Sequence, residues 1–367
     1  MESIALHNLG CKVNGYEMDV MQQILQEKGY KIVSFDEKAD IYIINTCTVT
    51  NIADQKSRQM LHRARKKNPE AVVVAAGCYV QTGEEKIAED LTVDLVIGNN
   101  RKKDVAEILE EYLGERRKGT LPREDRTLRS RTVIDINHTK EYEEMKLHGT
   151  GGHTRAYVKI QDGCNQFCSY CIIPYARGRV RSRGEEDILK EVSGLIESGY
   201  QEVVLTGIHI SSYGIDRGGS ELLQLLEKLN EVEGLKRIRL GSLEPGIITE
   251  EFAEKLSGLS CVCPHFHLSL QSGCDETLRR MNRRYTTGEY LEKVEMLRKY
   301  FDRPAITTDI IVGFPGETEE EFAVTEAFLT KVHFSEMHIF KYSRRQGTRA
   351  AAMEAQIPDQ VKNERSG

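Results

Sequence analysis

Residues 156–171 read AYVKIQDGCNQFCSYC, an apolar run that ends at Asp162-Gly163 and opens into a loop carrying three cysteines. The run has the length and composition of a buried strand, and the glycine marks the turn that ends it. Downstream the same kind of run recurs as EVVLTG, RIRLGS, HFHLSL, AITTDIIVG and SEMHIFKY. Helical stretches near 185–198, 220–230, 249–258, 287–301 and 317–331 lie between them. Alternation of apolar strands with helices reads as a parallel α/β sheet. Six βα units fall short of the eight that close a barrel, so a partial barrel and a doubly wound sheet both fit. Upstream, residues 3–113 alternate in the same way: IALHNL, YKIVSF, ADIYII, AVVVAA and VDLVIG are separated by helical stretches such as 16–28 and 53–67. Asn51 is the expected cap of the second helix, which ends before Pro69. This predicts an N-terminal open parallel α/β sheet domain.

The 367 residues suit two or three domains. Charged residues are 29% and the hydrophobic set 39%, which supports a buried core and excludes wholesale disorder. The net charge of −6 means that affinity for nucleic acid must come from local basic patches. No apolar run approaches the ~18 residues of a membrane span, and MESIALHNLGC lacks the pattern of a secretory signal. A cytoplasmic location is expected, where nine cysteines stay reduced and patterned ones point to metal or redox chemistry. The domains are read as 1–114, a basic linker 115–153 (ERRKGTLPREDRTLRSR closing in GTGGH), a core 154–350 and a tail 351–367.

Cys164, Cys168 and Cys171 form a CxxxCxxC pattern. Three thiolates on a short loop can each hold one iron of a 4Fe–4S cluster and leave the fourth without a protein ligand. That open iron can chelate the amino and carboxylate groups of S-adenosylmethionine and pass an electron to the sulfonium, while the protein supplies positioning. The loop follows the first strand of the core, at the end where βα-barrel active sites lie. A structural zinc site is the competing reading; zinc takes four ligands, and no fourth Cys or His lies close by in the sequence.

A second set is dispersed. Cys11, Cys47 and Cys78 each end an apolar strand, in HNLGC, IINTC and AAGC. In a parallel sheet the C-terminal strand ends share one edge, so three distant cysteines converge. Gly10 and Gly77 would let the backbone approach a cluster. Three independent core cysteines, or zinc, are the alternatives; a second 4Fe–4S cluster is favoured. Cys261, Cys263 and Cys274 read as incidental thiols, and His265 and His267 as packing residues on a strand.

With both cysteine sets placed, the chain resembles the methylthiotransferases of the radical S-adenosylmethionine superfamily. The blocks are LGCKVNGYE, INTCTVTNIADQKSRQ, AAGCYVQ, CNQFCSYCIIPYARGRVRSR, LSLQSGCDETLRRMNRRYT and DIIVGFPGET. The resemblance implies an auxiliary cluster on Cys11, Cys47 and Cys78, then a partial (βα)6 radical-SAM barrel with the radical cluster on the catalytic Cys164, Cys168 and Cys171. LGCKVN and NTCTVTNIADQKSRQ resemble the branch that acts on threonylcarbamoyladenosine beside the tRNA anticodon. The isopentenyladenosine and ribosomal-protein branches carry different strings at these places. The resemblance implies two molecules of S-adenosylmethionine. One is cleaved to a 5′-deoxyadenosyl radical; the other methylates sulfur carried by the auxiliary cluster, and the methylthio group then joins carbon 2 of adenine. It also implies an electron donor of flavodoxin or ferredoxin type and a sulfur donor.

Barrel geometry suggests the remaining contacts. Thr206 and Gly207, Ser242 and Glu244, and Ser269 and Gln271 end successive strands and are candidates to bind S-adenosylmethionine. Gly313 and Glu317, in VGFPGE, resemble the superfamily's adenine-contacting turn; a plain turn with Glu317 capping the next helix is the alternative. Basic clusters are candidates for the tRNA anticodon stem-loop: Lys56 and Arg58 in 55–69, then Arg177, Arg179, Arg181 and Arg183, with Arg279, Arg280, Arg283 and Arg284 as a further patch. Such phosphate contacts would position a stem while an extruded base enters the pocket. The family's small C-terminal RNA-binding β-barrel is expected to be absent from this chain, which carries only a short tail beyond Thr348.

Overall fold

A computed structural model describes residues 2–83, 87, 90–119, 132–149 and 154–367. The chain forms two compact units, the first from 1–152, 162–164 and 172–183, the second from 153–161, 165–171 and 184–367.

In the first unit five strands, β1 (Ser3–Asn8), β2 (Lys31–Val33), β3 (Ile41–Thr46), β4 (Val72–Gly77) and β5 (Leu95–Ile97), pair in the order β2-β1-β3-β4-β5, all parallel. Every residue of β3 and β4 is buried, which is why these strands read as continuous apolar runs. The helices are α1 (Lys12–Glu27), α2 (Asn51–Lys67), the short α3 (Cys78–Thr82) and α4 (Val105–Lys118). Thr50, not Asn51, caps α2: its hydroxyl accepts the Ala53 N–H at 3.1 Å.

The reading of 115–153 as a linker needs correction. Residues up to 118 complete α4. Within 132–149, Val133, Ile136, Met145 and Leu147 are buried, and the Tyr16 hydroxyl donates to the Met145 carbonyl at 2.6 Å. Apolar spacing too sparse to look like an element still ties this segment to the first unit. Residues 120–131 and 150–153 lie outside the described residues.

After β6 (Ala156–Asp162), the short α5 (Ile173–Arg177) and β7 (Arg181–Ser182) return the chain to the first unit. In the second unit the strands are β6 to Gln161, β8 (Glu202–Gly207), β9 (Arg237–Leu240), β10 (His265–His267), β11 (Ala305–Val312) and β12 (Glu336–Lys341). They run parallel in sequence order, with β9 and β10 joined through the flanking bridges Ile238–Val262 and Leu243–Leu268. The crossover helices are α6 (Glu185–Glu197), α7 (Leu222–Asn230), α8 (Glu250–Ser257), α9 (Asp275–Arg280), α10 (Thr287–Tyr300) and α11 (Glu319–Val332). This is the partial (βα)6 barrel, not a doubly wound sheet, because strand order never reverses.

Strand alternation splits the second sheet into two faces. Val158, Ile160, Val203, Leu205, Ile238, Leu240, Phe266, Ile306 and Ile310 enter one apolar core with the helices. The other face carries Lys159, Gln161, Thr206, Arg239, His267 and Asp309. The residues of 351–367 are not a loose tail. Helix α12 (Asp359–Ser366) buries Lys362 and Arg365, and Lys341 of β12 donates to Asn363 at 2.7 Å.

Candidate functional site

The order of the first sheet makes β1, β3 and β4 neighbours, and their C-terminal ends deliver Cys11, Cys47 and Cys78 to one edge. Thr46 pairs with Gly77, so Cys47 and Cys78 follow the same register row. Cys11 arrives one turn beyond Asn8, which pairs with Asn45. A Cβ on Gly10 would stand 3.2 Å from the Cys47 sulfur, and one on Gly77 would meet Asn45 Oδ1 at 2.5 Å. These glycines therefore make room for the protein's own side chains. Burial, with the charges of neighbouring Cys78 and Cys11, pushes the Cys47 thiol up to about 11. A bound metal would have to displace that proton.

Sequence reasoning missed the layer beneath this edge. Asn14 donates to the Leu9 carbonyl at 2.8 Å and the Thr46 carbonyl at 3.0 Å, tying two cysteine-bearing turns together. Ser57 bonds both the N–H and the carbonyl of Cys47, at 3.3 and 3.0 Å. Glu17, fully buried, pairs with Lys102 and Arg177. The signal was present: Asn14 and Glu17 are one turn apart on the same stripe of α1 as Val13, Tyr16 and Val20.

Arg177 was expected to meet phosphate. It is instead buried, with Nε 3.2 Å from the Cys78 sulfur, Nη2 2.6 Å from Asn14 Oδ1 and 3.0 Å from Glu17, and Nη1 3.2 Å from Asp162. Arg181 and Arg183 are buried too. Arg181 donates to the Arg177 and Arg179 carbonyls at 3.0 Å, and Arg183 reaches the Tyr16 hydroxyl at 3.4 Å. Burial removes these three side chains from the surface, so of the four only Arg179 lies there. Lys56 and Arg58 are also exposed, Arg58 donating to the Tyr79 hydroxyl at 3.2 Å.

In the second unit, residues 165–171 are held by the segment 280–283. Asn282 donates to the Phe167 carbonyl at 3.0 Å, and Ser169 bonds the carbonyls of Met281 and Arg280 at 2.9 and 2.8 Å. Arg283 donates to the Cys168 sulfur at 3.2 Å and pairs with Glu244. The patch at 279–284 is thus largely internal: Arg279 pairs with Glu276, Arg280 with Glu321 and Arg283 with Glu244, leaving Arg284 exposed. Burial raises the Glu244 pKa, but His209 and Arg283 outweigh it and hold this carboxyl below the ordinary glutamate range.

Thr206, Gly207, Ser242, Glu244, Ser269 and Gln271 lie at the ends of three adjacent strands, as the sequence predicts. Gly313 and Glu317 are different. Glu317 accepts the Gly313 N–H at 2.7 Å and Arg365 Nη1 at 2.6 Å, and the Lys362 side chain packs over Gly313. Thr318, not Glu317, caps α11. Burial pushes the Glu317 carboxyl up, although Gly313 and Arg365 oppose it. His265 and His267 are also more than packing: His267 Nδ1 lies 3.0 Å from the Thr307 hydroxyl and Nε2 3.4 Å from Asp309. Among the described residues no helix is long and apolar enough to cross a membrane.

Comparison with known proteins matches two stretches of the chain to two families. Residues 158–329 match the radical SAM superfamily, and residues 3–98 match a family described as uncharacterized protein family UPF0004. A threonylcarbamoyladenosine tRNA methylthiotransferase of Bacillus subtilis (strain 168) is 43% identical over 366 residues, spanning 100% of this chain and 79% of the relative. A tRNA-2-methylthio-N(6)-dimethylallyladenosine synthase of Moorella thermoacetica is 39% identical over 363 residues, or 97% of this chain and 79% of that protein. Among solved structures, the radical S-adenosylmethionine methyltransferase TsrM of Kitasatospora setae superposes with a TM-score of 0.64 at 16% identity. It covers 93% of this chain and 75% of that one, a likeness of fold alone. With the superfamily matched over the core and a methylthiotransferase matched across the whole of this chain, this chain belongs to the tRNA methylthiotransferases of the radical S-adenosylmethionine superfamily.

Proposed function

We propose that this chain methylthiolates carbon 2 of threonylcarbamoyladenosine at position 37 of tRNA, beside the anticodon. The observation that carries the reading is the meeting of Cys11, Cys47 and Cys78 at one sheet edge, in a chain that also has a CxxxCxxC loop. Three thiols at one sheet edge suit a cluster, whose irons are each bound by one cysteine. A 4Fe–4S cluster on Cys164, Cys168 and Cys171 would supply the electron that cleaves S-adenosylmethionine, and one on Cys11, Cys47 and Cys78 would carry the sulfur to be transferred. The choice of threonylcarbamoyl over dimethylallyl adenosine is supported by the name of the 43%-identical relative.

The chain's own residues have definable tasks in this scheme. Glu244, kept ionised, can accept a hydrogen bond from the ammonium of a methionine moiety. Thr206, Gly207, Ser242, Ser269 and Gln271 line the strand ends where such a moiety would lie. Gly313 and Glu317 shape the turn beside β11. Arg179, Lys56 and Arg58 offer surface charge to a tRNA stem. The reading also calls for an electron donor of flavodoxin or ferredoxin type, a sulfur donor and the reducing cytosol.

The test is anaerobic reconstitution followed by mass spectrometry of nucleosides from tRNA carrying either modification. Methylthiolation of threonylcarbamoyladenosine is expected. Conversion of dimethylallyladenosine instead would move the chain to the other branch. Inactivity on both, with S-adenosylmethionine still cleaved, would favour a ribosomal-protein aspartate. About eight irons per chain are expected. Replacing Cys11, Cys47 and Cys78 by alanine should leave about four and keep reductive cleavage detectable; undiminished iron would mean that these three cysteines hold no cluster.

A further inference from the structure

Arg177 does more than fill a hole. A buried guanidinium must be matched by buried acceptors, and Glu17 and Asp162 supply two carboxylates, with Lys102 restoring the balance of charge. Yet its Nε is directed to the Cys78 sulfur at 3.2 Å. A protonated thiol is a weak acceptor and a poor partner for a buried cation. A metal-bound thiolate is a strong one. Asn99 donates to the same sulfur at 3.5 Å while anchored to the Ala176 carbonyl at 2.7 Å, so two side-chain N–H groups converge on one sulfur.

We propose that Arg177, assisted by Asn99, sets the reduction potential of the cluster held by Cys11, Cys47 and Cys78. Hydrogen bonds to a ligating sulfur withdraw electron density and favour the reduced, more negative state, so they raise the potential. Arg177 acts through Cys78 and is a positioning and tuning residue, not a group that touches substrate. The proposal rests on the reading of these three cysteines as cluster ligands.

The experiment uses the full chain with Cys164, Cys168 and Cys171 replaced by alanine, so that one cluster is observed alone. Its midpoint potential is measured by redox titration followed by electron paramagnetic resonance, with iron counted in parallel. Arg177→Gln should lower the midpoint, Arg177→Lys should lower it less, and Asn99→Ala should lower it least. Iron per chain should stay unchanged. Equal midpoints in parent, Arg177→Lys and Asn99→Ala proteins, all fully loaded, would overturn the proposal. Should Arg177→Gln fail to load iron, Asn99→Ala decides, because it removes a donor to the same sulfur without disturbing the buried charges. A parent protein that binds no iron at all would instead sink the cluster reading itself.

Discussion

Glu17 is the residue on which the buried charges of the first unit turn. It is fully buried and carries both Lys102 and Arg177. Glu17→Ala would strand Lys102 away from water and leave Arg177 with Asp162 as its one carboxylate, at a cost of roughly 3–5 kcal/mol. Chemical denaturation of the apo protein should show a clear fall in its unfolding midpoint, and Glu17→Gln should fall less. The contrast with Arg179 shows where sequence reading reached its limit. Arg177, Arg179, Arg181 and Arg183 are identical in local pattern, yet three are buried and one exposed. What distinguishes Arg177 is Glu17 and Asp162, acids from two other elements, and no window of sequence displays that. The cysteines were legible because strand ends and short loops are local features.

At the scale of elements, strand and helix positions followed the apolar period closely. The departures came where tertiary contacts, not periodicity, decide, as in 132–149 and α12. Helix α2 exposes Lys56 and Lys66, while Arg63, Arg65 and Lys67 are held by Asp36 and Asp94. Charge reversal at Lys56 and Lys66 should weaken tRNA binding and flatten its salt dependence by about two units of slope at most, and filter binding across a salt series would show it. The same reversal at Arg63 should act mainly on stability.

Between β8 and β9, burial of Glu202 raises its pKa, but Arg237 and Arg239, each at 2.6 Å, outweigh that and hold the carboxyl below its ordinary value of 4.5. A lowered folded pKa means that the stabilisation is present above 4.5 and is lost as pH falls through the folded value. Thermal melts should therefore show the parent losing its advantage over Glu202→Gln only below about pH 4.5. Strand β12 is exposed along its whole length and presents Met337, Ile339 and Phe340. Ile339→Lys should reduce concentration-dependent light scattering with little change in melting temperature.

Across the molecule, each unit has its own sheet and its own arginine on a cysteine sulfur, Arg177 on Cys78 and Arg283 on Cys168. Two unlike topologies thus share one chemical device, which composition and motif spacing could not disclose. The last helix adds another link between distant parts of the sequence. Lys362 packs on Gly313, and Arg365 holds the carboxylate that accepts the Gly313 N–H. The exchange of that single amide with deuterium is therefore a clock for the undocking of residues 359–366. Losing a buried pair worth roughly 3 kcal/mol would cut its protection about a hundredfold. In Arg365→Ala the Gly313 amide should label early while the core of β11 stays slow, making one backbone proton a gauge of how firmly the end of the second unit is fastened.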